Sequence, residues 1–200
     1  MRRLQVLLFA VPVLLAAAYA DAQTPVRVRG TITSVEGNVL SVKSREGKDL
    51  RIEIAPDATY SYMKKLSVAD VKPGTPLGTS ALTGPDGKIV ALELHLFPAG
   101  RPVPGEGHRP WDLEPGSTMT NGMVTAVAEA GNGHELTLSY KEGTQRVVVP
   151  AGIPIVTSQA GDRSLLVVGQ YAFIAATVAA DGKMTAQRLQ VAKDGVSPPQ

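Results

Sequence analysis

Two hundred residues with 44% hydrophobic and 19% charged side chains suit one large domain or two small ones, and are too apolar and too weakly charged for a disordered chain. A formal charge of +2 and an aromatic content of 4% argue against nucleic acid, whose recognition draws on basic patches and stacking rings. The chain has no cysteine, which excludes disulfide staples, thiolate metal sites, covalent c-type haem and a lipidated cysteine.

In chain order, Arg2 and Arg3 precede an apolar run over residues 4–18, and small residues follow. This pattern predicts a secretory signal peptide over residues 1–22, cleaved after Ala20 or Ala22. The run falls short of the roughly 20 residues that span a bilayer, and Pro12 interrupts it. Cleavage removes Arg2, Arg3 and Asp21, so the formal charge drops from +2 to +1. No second run of spanning length follows, so the expected location is periplasmic, with no stable membrane insertion after cleavage.

The next feature is an internal repeat. Gly30-Thr31-Ile32-Thr33-Ser34-Val35 is answered by Gly122-Met123-Val124-Thr125-Ala126-Val127, and Leu40-Ser41-Val42 by Leu136-Thr137-Leu138. Arg51-Ile52-Glu53-Ile54 matches Arg146-Val147-Val148-Val149, and Asp86-Gly87-Lys88 matches Asp181-Gly182-Lys183. The runs alternate apolar and polar residues, and Gly-containing turns such as Glu36-Gly37-Asn38 and Glu46-Gly47-Lys48 separate them, so each copy reads as about five strands. A stretch from Ser67 to Gly74, between the third and fourth strands, suits one helical turn ended by Pro73.

That order of elements predicts an all-β chain of two tandem small OB-like β-barrels, residues 23–97 and 122–193, joined by an ordered Pro/Gly-rich connector, residues 98–121, with a disordered tail over 194–200. A small sandwich satisfies the same alternation. The connector has no counterpart after the second copy, and it holds the only tryptophan, Trp111, which is expected to anchor it between the barrels.

His95-Leu96-Phe97-Pro98, Gly105-Glu106-Gly107-His108-Arg109-Pro110-Trp111-Asp112-Leu113 and Pro115-Gly116-Ser117-Thr118-Met119-Thr120-Asn121 together resemble a family of secreted bacterial proteins of unknown function with tandem OB-like repeats. The resemblance covers most of the chain after the signal. Some relatives carry the label metal ABC transporter permease, which this sequence contradicts, because a permease needs several spanning helices.

Three kinds of chemistry are expected of the connector. As a binding or interaction surface it presents Arg101, Glu106, His108, Arg109, Trp111 and Asp112. As a metal site, His95, His108, Glu106 and Asp112 would offer imidazole and carboxylate ligands to zinc, copper or nickel. The competing reading is that both histidines hydrogen-bond the connector onto the barrel, since their spacing matches no established metal motif. His95 is expected to face away from the core, on a strand whose Val90, Leu92, Leu94 and Leu96 share the apolar face. As a hydrolase, His108, Asp112 and Ser117 contain the residue types of a triad, although nearness in sequence does not bring them together in space.

The remaining motifs have plain explanations. Ser61-Tyr62-Met63-Lys64 has the Ser-x-x-Lys spacing of serine enzymes but lacks their companion motifs. Gly84-Pro85-Asp86-Gly87-Lys88 lacks Walker spacing and reads as a hairpin turn. Tyr60 and Tyr62 suit either stacking or packing across a sheet. The leading expectation is thus a non-enzymatic periplasmic binding or interaction protein, whose partner is a periplasmic protein or a small ligand and not nucleic acid. A metal-handling protein and a cell-envelope hydrolase are the alternatives.

Overall fold

The computed structural model describes residues 23–198, so the expected signal peptide lies outside the described residues. The chain is all-β, with twelve strands and two short 3-10 turns among the described residues. Its N-terminal strands are β1 (Thr24–Glu36), β2 (Val39–Ser44) and β3 (Asp49–Lys65). A 3-10 turn, Val68–Asp70, leads to β4 (Pro76–Thr83) and β5 (Ile89–Leu96). The connector contributes β6 (Gly107–Pro110), followed by β7 (Thr118–Ala130), β8 (Gly133–Tyr140), β9 (Gly143–Pro150) and β10 (Ile155–Gly161). After the turn Arg163–Leu165 come β11 (Tyr171–Val178) and β12 (Met184–Val191).

Alternation explains the strands. In β1, Val28 and Ile32 are buried while Arg27 and Arg29 stand on the opposite face, and in β2 the same period buries Leu40 and Val42. Gly37, with φ +52, supplies the left-handed backbone that the tight β1–β2 turn requires.

Strands β12, β11, β1, β2 and β3 form a closed five-stranded barrel, because β12 returns to pair with β3 in parallel, from Met184↔Ile52 to Val191↔Tyr62. Strands β5, β4, β7, β8 and β9 are hydrogen-bonded in that order, and Val90↔Val148 links β5 back to β9. Strand β10 joins the two groups, antiparallel to the end of β3 and parallel to β5.

The cores do not follow the expected segment boundaries. Val28, Ile32, Leu40 and Ile52 pack with Ile174, Leu189 and Val191, which lie near the other end of the chain. Leu77, Leu94 and Leu96 pack with Val124, Leu136, Leu138 and Val147. Segment 23–97 therefore gives β1, β2 and β3 to one core and β4 and β5 to the other, and the C-terminal segment gives β11 and β12 to the first core and β7, β8, β9 and Ile155 of β10 to the second. The expected tandem arrangement is corrected to an exchanged one: neither segment encloses a core by itself.

Two smaller expectations also change. Leu92 leaves the core face, because a β-bulge there lets Ser80 pair with Glu93 and Ala81 with Ala91, so the buried set is Ala91, Leu94 and Leu96. The tail, expected to be disordered, is described as far as Pro198 and turns back through a bridge between Lys193 and Val196.

Candidate functional site

The connector is ordered by bonds to both strand groups. Strand β6 pairs with β7, from Gly107↔Asn121 to Pro110↔Thr118. The Asn121 amide donates to the Pro104 carbonyl at 2.7 Å, and the Trp111 amide donates to the Ser117 carbonyl at 2.8 Å. On the other side, Arg29 donates to Asp112 Oδ1 at 2.9 Å, and Arg45 donates to the carbonyls of Asp112 at 2.7 Å and Leu113 at 3.0 Å.

This arrangement encloses a cleft of about 460 Å³, within the usual range for small-ligand sites. One wall is the outer face of β12, β11 and β1. Across these strands run two rows, Arg188–Ala175–Arg27 and Gln190–Phe173–Arg29. The other wall is the outer face of β5, β4 and β7, with rows Glu93–Ser80–Met119 and His95–Gly78–Asn121. The β6 segment extends it, placing Arg109 beside Met119 and Gly107 beside Asn121. Trp111 sits where the walls meet.

Charge in the cleft is lopsided. Three guanidiniums, from Arg27, Arg109 and Arg188, and one carboxylate, from Glu93, line it. The Arg27, Arg109 and Arg29 guanidiniums lie 4.3, 5.7 and 6.0 Å from the centre of the Trp111 ring, so one indole serves three cations. Arg29 is buried behind them, 5.0 Å from the Phe173 ring. Burial raises the Asp112 pKa, but the bond from Arg29 and the charges of Arg29 and Arg27 outweigh it and hold the carboxyl below its ordinary range. Partial burial, with the like charge of Arg27 second, lowers the pKa of Arg109. Loss of hydration lowers His95 to about 4, so its ring is neutral at neutral pH, and it stacks obliquely on Phe97 at 5.0 Å.

Buried polar atoms of the walls lack hydrogen-bond partners among the described residues: the Trp111 indole N–H and Asn121 Oδ1 on residues that line the cleft, and Arg29 Nε and Ser80 Oγ in the rows behind them. Gly78 keeps the floor open: a Cβ there would stand 2.6 Å from Asn121 Oδ1 and 3.0 Å from the Phe97 ring.

The structure divides the expected site residues. Arg109 and Trp111 line this cleft, and Asp112 supports it through Arg29 and Arg27. Glu106 and His108 instead line a second opening with Tyr140 and Glu142, which Arg109 borders as well, and His108 Nδ1 bonds the Thr120 hydroxyl at 2.8 Å. Arg101 is exposed and makes no ion pair among the described residues.

The metal quartet is corrected accordingly. His95 faces the first cleft, His108 and Glu106 the second, and Asp112 is committed to arginines; no group of three His, Asp or Glu side chains among the described residues is placed to hold a metal ion. The triad fails on the same grounds. The Ser117 hydroxyl donates to the Trp111 carbonyl and accepts from the Glu114 amide, so it closes the connector's turn and meets neither His108 nor Asp112. Tyr60 packs against the core of the closed barrel, and Tyr62 lies under the Lys193 ammonium at 4.3 Å.

Sequence reasoning missed Arg27, Arg188, Gly78, Phe97, Phe173 and Asn121. A signal existed for the first: in Val26-Arg27-Val28-Arg29 the two-residue period sends both arginines to the face opposite the core. No protein-family model, curated protein or solved structure matches the chain.

Proposed function

We propose that the protein is a non-enzymatic, periplasmic binding protein in which two OB-like barrels, built by exchanged strands, hold a small ligand in the cleft beside Trp111. One observation carries the reading. The chain is poor in aromatic residues, yet every phenylalanine and tryptophan among the described residues, Phe97, Phe173 and Trp111, lines this one cleft. A chain that needed these rings only for packing would place them in its two cores, which are instead aliphatic apart from the rim residue Tyr60. The cleft also combines rings with a few fixed polar groups, the usual make-up of a ligand site.

Export follows from the signal read over residues 1–22, and the OB-like assignment from the five-stranded closure and the 3-10 turns that precede β4 and β11. The test is a thermal-shift screen of small water-soluble compounds against the protein and its Ala175→Phe variant. Ala175 stands on the outer face between Arg27 and Arg188, so a phenyl ring there fills the cleft and leaves the core untouched. A compound at 100 times its dissociation constant stabilises by about 2.7 kcal/mol, or roughly 5–10 °C in melting temperature. Hits that shift the native protein and not the variant support the reading. Equal shifts in both, or no hit among the compounds, count against it.

A further inference from the structure

We infer that the cleft selects small organic anions with a flat apolar body, the acidic group lying between Arg27, Arg109 and Arg188 and the body against Trp111 and Phe173; this rests on the binding reading above. The row Arg188–Ala175–Arg27 sets two arginines on either side of an alanine. Neighbouring side chains in such a row stand about 5 Å apart, so their stems are about 10 Å apart, with only a methyl group between them. That spacing leaves room for an oxyanion bonded from both sides.

The carboxylates near this row are outnumbered. Glu93 on the opposite wall and Asp112 face the guanidiniums of Arg27, Arg29, Arg109 and Arg188, and Arg27 reaches Asp112 only at 3.6 Å, a carboxylate that bonds Arg29 at 2.9 Å. Arg109 approaches from the opposite wall, and it donates at 2.6 Å to the neutral Gly105 carbonyl. Like charges gathered around one indole repel one another, and an anion among them relieves that repulsion while accepting charge-assisted bonds.

Flatness follows from the surfaces beside the cations. The Trp111 and Phe173 rings present faces already used by guanidiniums, and a flat body slides between such stacked planes where a bulky one does not. Apart from Arg109, the opposite wall adds no positive charge, because His95 remains neutral and Gly78 has no side chain. The buried indole N–H and Asn121 Oδ1 offer one donor and one acceptor for polar groups on the body.

Calorimetric titration of the protein with 2-naphthoate, 2-naphthyl phosphate, neutral 2-naphthamide and inorganic phosphate tests this. The expected result is that at least one naphthyl anion binds ten-fold or more tighter than the amide and than inorganic phosphate, and that added salt weakens it. The double variant Arg27→Gln, Arg188→Gln, whose side chains are exposed, should reduce the preference over the amide to about two-fold while lowering the melting temperature by no more than about 5 °C, the cost of one exposed cation–π contact and one surface ion pair. The carboxylate and phosphate arms identify which acid is held. Equal binding of amide and anion, both lost in Ala175→Phe, overturns the charge selectivity and leaves the binding reading standing. Inorganic phosphate bound as tightly as the naphthyl anions overturns the requirement for a flat body. No heat with any of the four at millimolar concentration overturns the inference as a whole.

Discussion

The two walls of the cleft share a backbone grid and differ in what fills it. On one, Ala175 is flanked by Arg188 and Arg27, and Phe173 by Gln190 and Arg29. On the other, Ser80 is flanked by Glu93 and Met119, and Gly78 by His95 and Asn121. Bulges fall at matching places as well, at Thr33 and Thr125 on the first strands and at Leu92 and Gln187 on the last. One pairing scheme thus yields a cationic wall and a nearly neutral one. The sheet supplies positions, and a handful of outward side chains decides the chemistry.

The largest effect should be the same beneath both walls, since their cores are equally well sealed. Ile174→Ala under the cationic wall and Leu94→Ala under the neutral one should each cost about 2–5 kcal/mol in denaturant unfolding, as expected when a fully buried aliphatic side chain is removed. A double-mutant cycle sharpens the point. Val28 and Ile174 are directly paired across β1 and β11, so their alanine variants should couple by more than about 0.5 kcal/mol. Val28 and Leu94 share a sequence segment but belong to different cores, so theirs should add. The opposite pattern would mean that the segments fold as separate units.

A smaller effect separates the walls by pH. The unfolded His95 imidazole takes up a proton near pH 6.5 and the folded one only near 4, so stability is full above about pH 7, falls as pH drops through that window and levels off below it. The loss between pH 7 and 4.5 should be about 2 kcal/mol and should be absent in His95→Gln. Urea midpoints measured at both pH values for the two proteins check this; equal losses would refute it.

The smallest effect concerns the cationic wall. Asp112→Asn keeps an acceptor for Arg29 and removes its charge, so it should cost about 1 kcal/mol, the difference between a charge-assisted and a neutral hydrogen bond. It should also tighten binding of a naphthyl anion, by releasing Arg27. Weaker anion binding in this variant would count against the assigned role of Arg27.

Strand positions and their inward faces were legible in the sequence because they depend on local alternation: Leu40 and Val42, or Leu136 and Leu138, identify themselves. Partnership was not, because nothing in residues 24–36 specifies that the partner strand begins at Tyr171. Repeated segments make this worse, since β4 and β11 present similar edges and either satisfies the pattern of β1. The bulge at Leu92 hid for a related reason, as one extra residue inverts the alternation on which the reading depends. Within the site, Arg109 and Trp111 could be found from the unusual connector, whereas Arg188 and Phe173 belong to ordinary strands and gain their meaning only from the rows they join.

The exchange of strands also sets a condition on how the chain reaches its native state. A polypeptide made or exported from its N-terminus presents β1, β2 and β3 well before β11 and β12, which complete their barrel. Until the C-terminal strands arrive, the apolar faces of Val28, Ile32 and Leu40 have no permanent cover and an open edge, a state that invites pairing with other molecules. Contacts spanning most of the sequence also make closure slow, on the scale of milliseconds to seconds seen for β proteins dominated by distant pairings. Such a protein gains from a chaperone that shields its leading half, and a nascent chain cut short before Tyr171 becomes a substrate for proteases.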